Sequence, residues 1–166
     1  DSGVPRCDPD GNFLGYVGSG IDITERKMLD FEREHERTLL ETLVQGGSLS
    51  ALLNRLVLHF EQRMPGLLGS VLLLDPDGRH LRHGAAPNLP ASFCQAVDGA
   101  AIGPEAGSCG TAAFTGRSVM VADIATDPLW RDYHGLALGH GLRACWSVPI
   151  RTANNRVLGT FAFYSK

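Results

Sequence analysis

The sequence predicts an α+β domain, an antiparallel sheet with helices segregated on its faces. Three observations predict it. Residues 142–150 and 156–164 are two long apolar runs joined around Asn154-Asn155, the pattern of a hairpin in a sheet core. Leu49, Leu52, Leu53, Leu56, Val57 and Phe60 alternate steps of three and one, the spacing of a strongly amphipathic helix. The element order, with helices interrupting hairpins, contains too few strand–helix repeats for a doubly wound parallel sheet.

Taken in order, residues 1–23 read as a strand-like tail. Asp8-Pro9-Asp10-Gly11-Asn12 forms a turn, and residues 13–21 form an extended segment. Two strands alone have nothing to bury against, so this tail is expected to pack on something else or to stay poorly ordered. Residues 24–47 read as a linker helix. Asp22 with Glu25 makes a capping box, and Thr24 is an alternative cap. The helix is mostly charged, with a thin stripe through Met28 and Phe31 that Leu39, Leu40, Leu43 and Val44 thicken before Gly46-Gly47 stops it. Such a seam suits a short parallel dimer; the other reading folds the helix back on the following domain.

Residues 48–166 carry the core. Ser48 can cap the amphipathic helix, residues 67–74 form a buried strand, and Asp75-Pro76-Asp77-Gly78 turns into a second strand near residues 80–85. Residues 91–97 make a brief helix after a proline-bounded loop, and residues 118–122 a short strand. Asp127-Pro128, a cap followed by proline in the first turn, opens a helix over 129–138.

Composition narrows the function. At 166 residues with 43% hydrophobic content, the chain can bury one core domain and leave some material over. A net charge of -3 gives no reason to expect nucleic acid, and no apolar run approaches the length that crosses a bilayer. Cys7, Cys94, Cys109 and Cys145 form neither a CxxC pair nor a zinc pattern, so free thiols in a reducing, cytoplasmic setting are expected. Glycine-rich phosphate loop, HExxH and nucleophile-elbow motifs are lacking, so no catalytic residue and no metal ligand is nominated, and no cofactor is named. Both ends read as cut from a longer protein.

The run Gly107-Ser108-Cys109-Gly110-Thr111 is the densest candidate site. If Ser108 caps a helix starting at Cys109, the first N–H groups of Cys109, Gly110 and Thr111 lack helical partners and can hold a polar ligand. The glycines let a ligand or a neighbouring strand approach the backbone; the alternative is a purely structural turn. Cys109 at a helix start has a favoured thiolate. A redox role needs a partner, for which Cys145 is the best candidate, and predicts a Cα separation of roughly 4.4–6.8 Å. Otherwise Cys145 is small buried filler. In the strand around residues 144–148, Cys145 and Ser147 share one face, Trp146 and Val148 the other.

Residues 48–164 resemble a GAF domain of the type found in bacterial sensor kinases and diguanylate-cyclase regulators. The resemblance rests on GSCGTAAFTGRSVMVADIATDPLW at 107–130, GLRACWSVPI at 141–150 and VLGTFAFY at 157–164. Asp10-Gly11, Gly15-Tyr16-Val17-Gly18 and Asp22-Ile23-Thr24-Glu25-Arg26-Lys27 resemble the last strand of a PAS domain leaving into a signalling helix. The resemblance implies a six-stranded antiparallel sheet, helices packed on one face and pocket loops on the other. It also implies a small-molecule ligand, a homodimer through the terminal helices and an effector domain elsewhere in the same chain. Trp130 and His134 would border the pocket, Trp130 stacking on a ligand or wedging the helix. Asp123 would stand at the pocket mouth or brace its own loop. His134 and His140 are the histidines nearest a cavity, as in haem-binding members. The cysteine spacing departs from that of the free methionine sulfoxide reductases of this fold. The expected function is a non-catalytic sensor module. Its alternatives are a structural dimerisation module without ligand and a thiol redox sensor using Cys109.

Overall fold

The computed structural model describes the backbone of residues 2–19 and 48–166. The expected linker helix at 24–47 and the exit hexad at 22–27 fall outside the described residues. The chain divides into two units, Asp1–Gly46 and Gly47–Lys166. In the first, β1 (Ser2–Cys7) and β2 (Phe13–Ser19) pair antiparallel, from Ser2 opposite Ser19 to Cys7 opposite Phe13. The expected turn joins them. The Asp8 carboxylate accepts from Asn12 Nδ2 at 3.0 Å, Asn12 N at 2.7 Å and Asp10 N at 3.0 Å, which holds its pKa below the ordinary value.

The second unit opens with α1 (Leu49–Arg63), capped as expected: the Ser48 hydroxyl accepts from Ala51 N at 3.2 Å. Its stripe buries Leu53 and Val57, while Leu49, in the first turn, stays exposed. Then follow β3 (Leu67–Leu74), β4 (His80–Ala85), α2 (Ala91–Val97), β5 (Ala100–Ala101), α3 (Gly107–Thr115), β6 (Val119–Val121), a 3-10 turn (Pro128–Trp130), α4 (His134–Gly139), β7 (Ala144–Arg151) and β8 (Val157–Ser165). The strands form one six-stranded sheet in the order β5-β4-β3-β8-β7-β6, every pair antiparallel. The α+β class is as predicted.

The sheet separates two cores. On one face α1 packs Leu53 and Val57 against Val71 and Ala85, with Leu73, Ile150 and Phe161 beside them. Burying each such side chain stabilises by about 1.5–3 kcal/mol. Gly69 and Gly84 admit the helix closely: a Cβ at Gly69 would come within 2.7 Å of the Val57 side chain. The opposite face carries the loops together with α2, α3 and α4. Leu72, Leu81, Phe93, Cys109, Ala137, Cys145, Ala162 and Tyr164 belong to this larger core.

Two local expectations are corrected. The helix predicted over 129–138 is broken. The Asp127 carboxylate caps the turn by accepting from Leu129 N at 2.9 Å, but regular structure ends at Trp130, whose indole turns inward, and resumes at His134. Ser108 does not cap α3, which starts at Gly107, two residues before the expected Cys109, with Ala106 at the cap position and no side-chain cap.

Candidate functional site

Helix α3 lies across the sheet face formed by β7 and β8, and its first turn roofs a cavity. Gly107 takes φ +63°, a conformation that favours glycine, and this swings the chain into the helix. Gly110 serves close packing: a Cβ there would come within 2.6 Å of Ala106 Cβ and 3.3 Å of the Ala101 carbonyl oxygen. Its missing side chain therefore seats α3 against the segment around β5. Thr111 closes the preceding loop, its hydroxyl accepting from Ala106 N at 3.2 Å and donating to the Pro104 carbonyl at 3.3 Å.

The cavity holds about 40 Å³. At roughly 10–15 Å³ per water, that is room for a molecule of a few heavy atoms or about three to four waters. Buried Leu72, Leu81, Phe93, Cys109, Trp130 and Tyr164 wall it, and half-buried Val97, Ala100, Ala106 and Tyr133 form its rim. The walls are mainly apolar, with the Cys109 sulfur and the Tyr164 hydroxyl as the polar groups at the sheet side.

Behind the cavity lies a network of sulfur and hydroxyl groups. Trp130 Nε1 donates to the Ser108 hydroxyl at 3.0 Å, both residues being buried, which leaves the Ser108 proton free to point at the Cys145 sulfur. Cys109 Sγ lies 3.6 Å from the Tyr164 hydroxyl, and Tyr164 pairs directly with Cys145 across β7 and β8. The Cys145 thiol faces the Cys109 sulfur, and the Ser147 and Thr160 hydroxyls approach it from the sheet. Ser147 and Thr160, like Ser70 nearby, are buried on this face of the sheet and make no hydrogen bond of ordinary geometry.

These groups split the two thiols. Donors converging on Cys109, first Cys145 and then Ser147, Tyr164 and Thr160, outweigh its burial and bring its pKa down to about 6. The free first-turn N–H groups of α3 act in the same direction. Burial, then the charge and hydrogen bond of Cys109, push the Cys145 thiol well up, and burial pushes the Tyr164 phenol well up, so both remain proton donors.

The structure brings Ser108, Cys109, Gly110, Trp130, Cys145 and Ser147 together, the last two behind the cavity floor rather than on its wall. Cys145 and Ser147 are thus on the cavity face, and Trp146 is on the α1 face against Phe163. Three residues go elsewhere. Thr111 braces the loop as described. Asp123 is exposed and accepts from Ala125 N at 3.0 Å and Thr126 Oγ1 at 2.9 Å, a local brace. His134 is exposed and its Nδ1 lies 2.7 Å from the Arg131 carbonyl, as the donor that ends the preceding turn. Tyr164 and Thr160 were not nominated by the sequence. The alternation Thr160, Ala162, Tyr164 along β8 is the signal that puts them on the face of Cys145. Among the described residues no cluster of three or more His, Cys, Asp or Glu could hold a metal ion, and no helix is long and apolar enough to cross a membrane.

A six-stranded antiparallel sheet with a long helix on one face and loops and short helices on the other defines a class of α+β domains. Within it, residues 46–166 match the GAF domain family, and the chain belongs to that family. Over 159 residues it is 36% identical to the methyl sulfide methyltransferase-associated sensor of Methanosarcina acetivorans, covering 96% of this chain and 16% of that protein. Among solved structures, it resembles a domain assigned to a two-component sensor histidine kinase protein of Sinorhizobium meliloti 1021. The TM-score is 0.57 at 21% identity, covering 72% of this chain and 74% of the other. It also resembles the free methionine-R-sulfoxide reductase of Neisseria meningitidis, solved with its substrate (TM-score 0.56, 18% identity, 90% and 78% covered). At these identities the two structures speak for the fold alone. The family and the sensor relative support a regulatory sensor role.

Proposed function

We propose that this chain is a non-catalytic input module of a signal-transduction protein that holds a small molecule in the cavity beneath α3. The observation that carries the reading is the cavity itself. It is a partly open, mainly apolar cleft with the Cys109 sulfur and the Tyr164 hydroxyl on its sheet side, small for a ligand site, in a chain of the GAF family that is similar to a sensor protein. In this reading residues 1–23 are the end of a PAS domain and residues 24–47 a signalling helix. That helix pairs with its copy in a cytoplasmic homodimer and carries the change to an effector domain of the same chain. A signal of this kind requires only that the ligand bind two states with different affinity. The cavity limits the ligand to a few heavy atoms unless the rim moves.

Native mass spectrometry of the chain purified from its own host tests this. The expected spectrum shows a bound small species on a dimer, and Val97→Phe, which fills the rim, removes the species while the dimer persists. A chain carrying nothing, with an unchanged spectrum for Val97→Phe, would mark the cavity as unused and favour a purely structural module.

A further inference from the structure

We propose that Cys109 and Cys145 form a two-electron thiol–disulfide couple at the cavity floor, with Cys109 the sulfur that a small hydroperoxide oxidises and Cys145 the one that resolves it. The proposal rests on the same cavity as the sensor reading but not on a bound ligand. Its first support is the placement of the two thiols. Cys109 lines the cavity, whereas Cys145 lies behind it on β7 and does not. An incoming molecule therefore meets one sulfur first, and the second waits on the protein side.

Its second support is the set of orphan hydroxyls. Ser147 and Thr160 are fully buried and lack ordinary partners, an arrangement that costs stability in a core where Ala or Val would pack. They share the cavity face of the sheet with Cys145 and Tyr164, and the Tyr164 hydroxyl lies 3.6 Å from Cys109 Sγ, so unspent donors stand on the side from which a Cys109 thiolate is stabilised. The size of the cavity, about 40 Å³, admits a hydroperoxide of two or three heavy atoms and excludes bulky oxidants. A negative sulfur at the floor also disfavours anionic ligands.

The chemistry balances with the peroxide alone. The Cys109 thiolate attacks the terminal peroxide oxygen, an S–O bond forms and the O–O bond breaks. The departing hydroxide or alkoxide takes a proton from solvent, leaving a sulfenic acid. The Cys145 sulfur then attacks the Cys109 sulfur, releasing its own proton. The S–S bond forms as the S–O bond breaks, and the expelled hydroxide takes up that proton as water. The two thiols lose two electrons and the peroxide gains them. Oxidation ties the first turn of α3 to β7, so the roof of the cavity is fixed to its floor.

Thiol acidity acts on the rate in two ways. At pH 7 a pKa of about 6 instead of 9.0 raises the thiolate fraction about 90-fold, while lower basicity reduces nucleophilicity about 20-fold at a Brønsted slope near 0.45. The two effects oppose each other, and access through the cavity sets how far the folded chain differs from the unfolded one.

The test uses the full chain with Cys7→Ser and Cys94→Ser, the remaining cysteines outside the network. Reduced protein is treated with stoichiometric hydrogen peroxide and read by intact mass and peptide mapping. The expected result is loss of two hydrogens, a mapped Cys109–Cys145 linkage and reversal by dithiothreitol. Cys145→Ser should stop at one added oxygen that dimedone traps on Cys109, and Cys109→Ser should leave Cys145 reduced. Circular dichroism confirms that each variant is folded. The proposal is overturned if the folded pair stays reduced while urea-unfolded chain oxidises, or if Cys109→Ser leaves Cys145 as the thiol that peroxide oxidises. Retention of a host-derived species by the Cys109→Ser/Cys145→Ser protein would uphold the ligand reading independently, so the two can fail separately.

Discussion

The two faces of the sheet are built on opposite terms. Against α1 the strands present Val71, Leu73, Phe161 and Phe163, and the rings of Phe60, Phe161 and Phe163 interlock, with centroids 4.8 to 6.0 Å apart. On the other face the same strands present Ser70, Ser147, Thr160, Cys145 and Tyr164, and three of those hydroxyls have no ordinary partner. The backbone and register are shared, so the contrast lies in side-chain choice alone. The first face is packed by apolar side chains. The second keeps buried polar groups that a purely structural core would discard, and it is the one that meets the cavity.

The hardest test of that contrast is Phe163→Ala on the α1 face. It should cost about 3–5 kcal/mol in urea unfolding, as expected for a large buried aromatic. A loss below about 1 kcal/mol would mean that this face does not carry the fold. Next comes a comparison within the cavity face. Ser108→Ala strands the Trp130 N–H and should cost about 1–3 kcal/mol, whereas Thr160→Val removes a hydroxyl that has no ordinary partner and should fall within about 1 kcal/mol of zero. Equal losses would erase the distinction between satisfied and orphan hydroxyls. A further test is the pH slope. The folded pKa of Cys109 lies below its unfolded value of 9.0, so its thiolate contributes stability that is complete above pH 9 and disappears as pH falls through about 6. The stability difference between the parent chain and Cys109→Ser should shrink over that window on acidification; a difference constant from pH 9 to 6 would place the proton on Cys109 throughout.

The parts of the molecule that local periodicity governs were legible in the sequence. The helix spacing of Leu53 and Val57, the Ser48 cap and the long hairpin around Asn154-Asn155 all follow from short-range patterns, and the structure has them. The parts that a tertiary partner decides were not. Ser108 has the chemistry of a cap, but the Trp130 indole claims its hydroxyl, and the same inward turn of Trp130 breaks the helix expected beyond it. Strand β5 is two residues long and exists only because Leu81 and His80 pair with Ala100 and Ala101. At the candidate site, Cys109 and the cavity face of β7 were visible as types and alternation. Tyr164 read only as part of an apolar strand, because its role comes from the register that sets it across from Cys145.

Strands β5 and β6, two and three residues long, are the two edges of the sheet. Such short edges offer a foreign strand little backbone of their own, one way in which sheets blunt edge-to-edge pairing. They cover only Cys145–Ser147 of β7 and His80–Leu81 of β4, and the Asp98 carboxylate accepts from His83 N, so the longest stretch left for an added strand is residues 148–151 of β7.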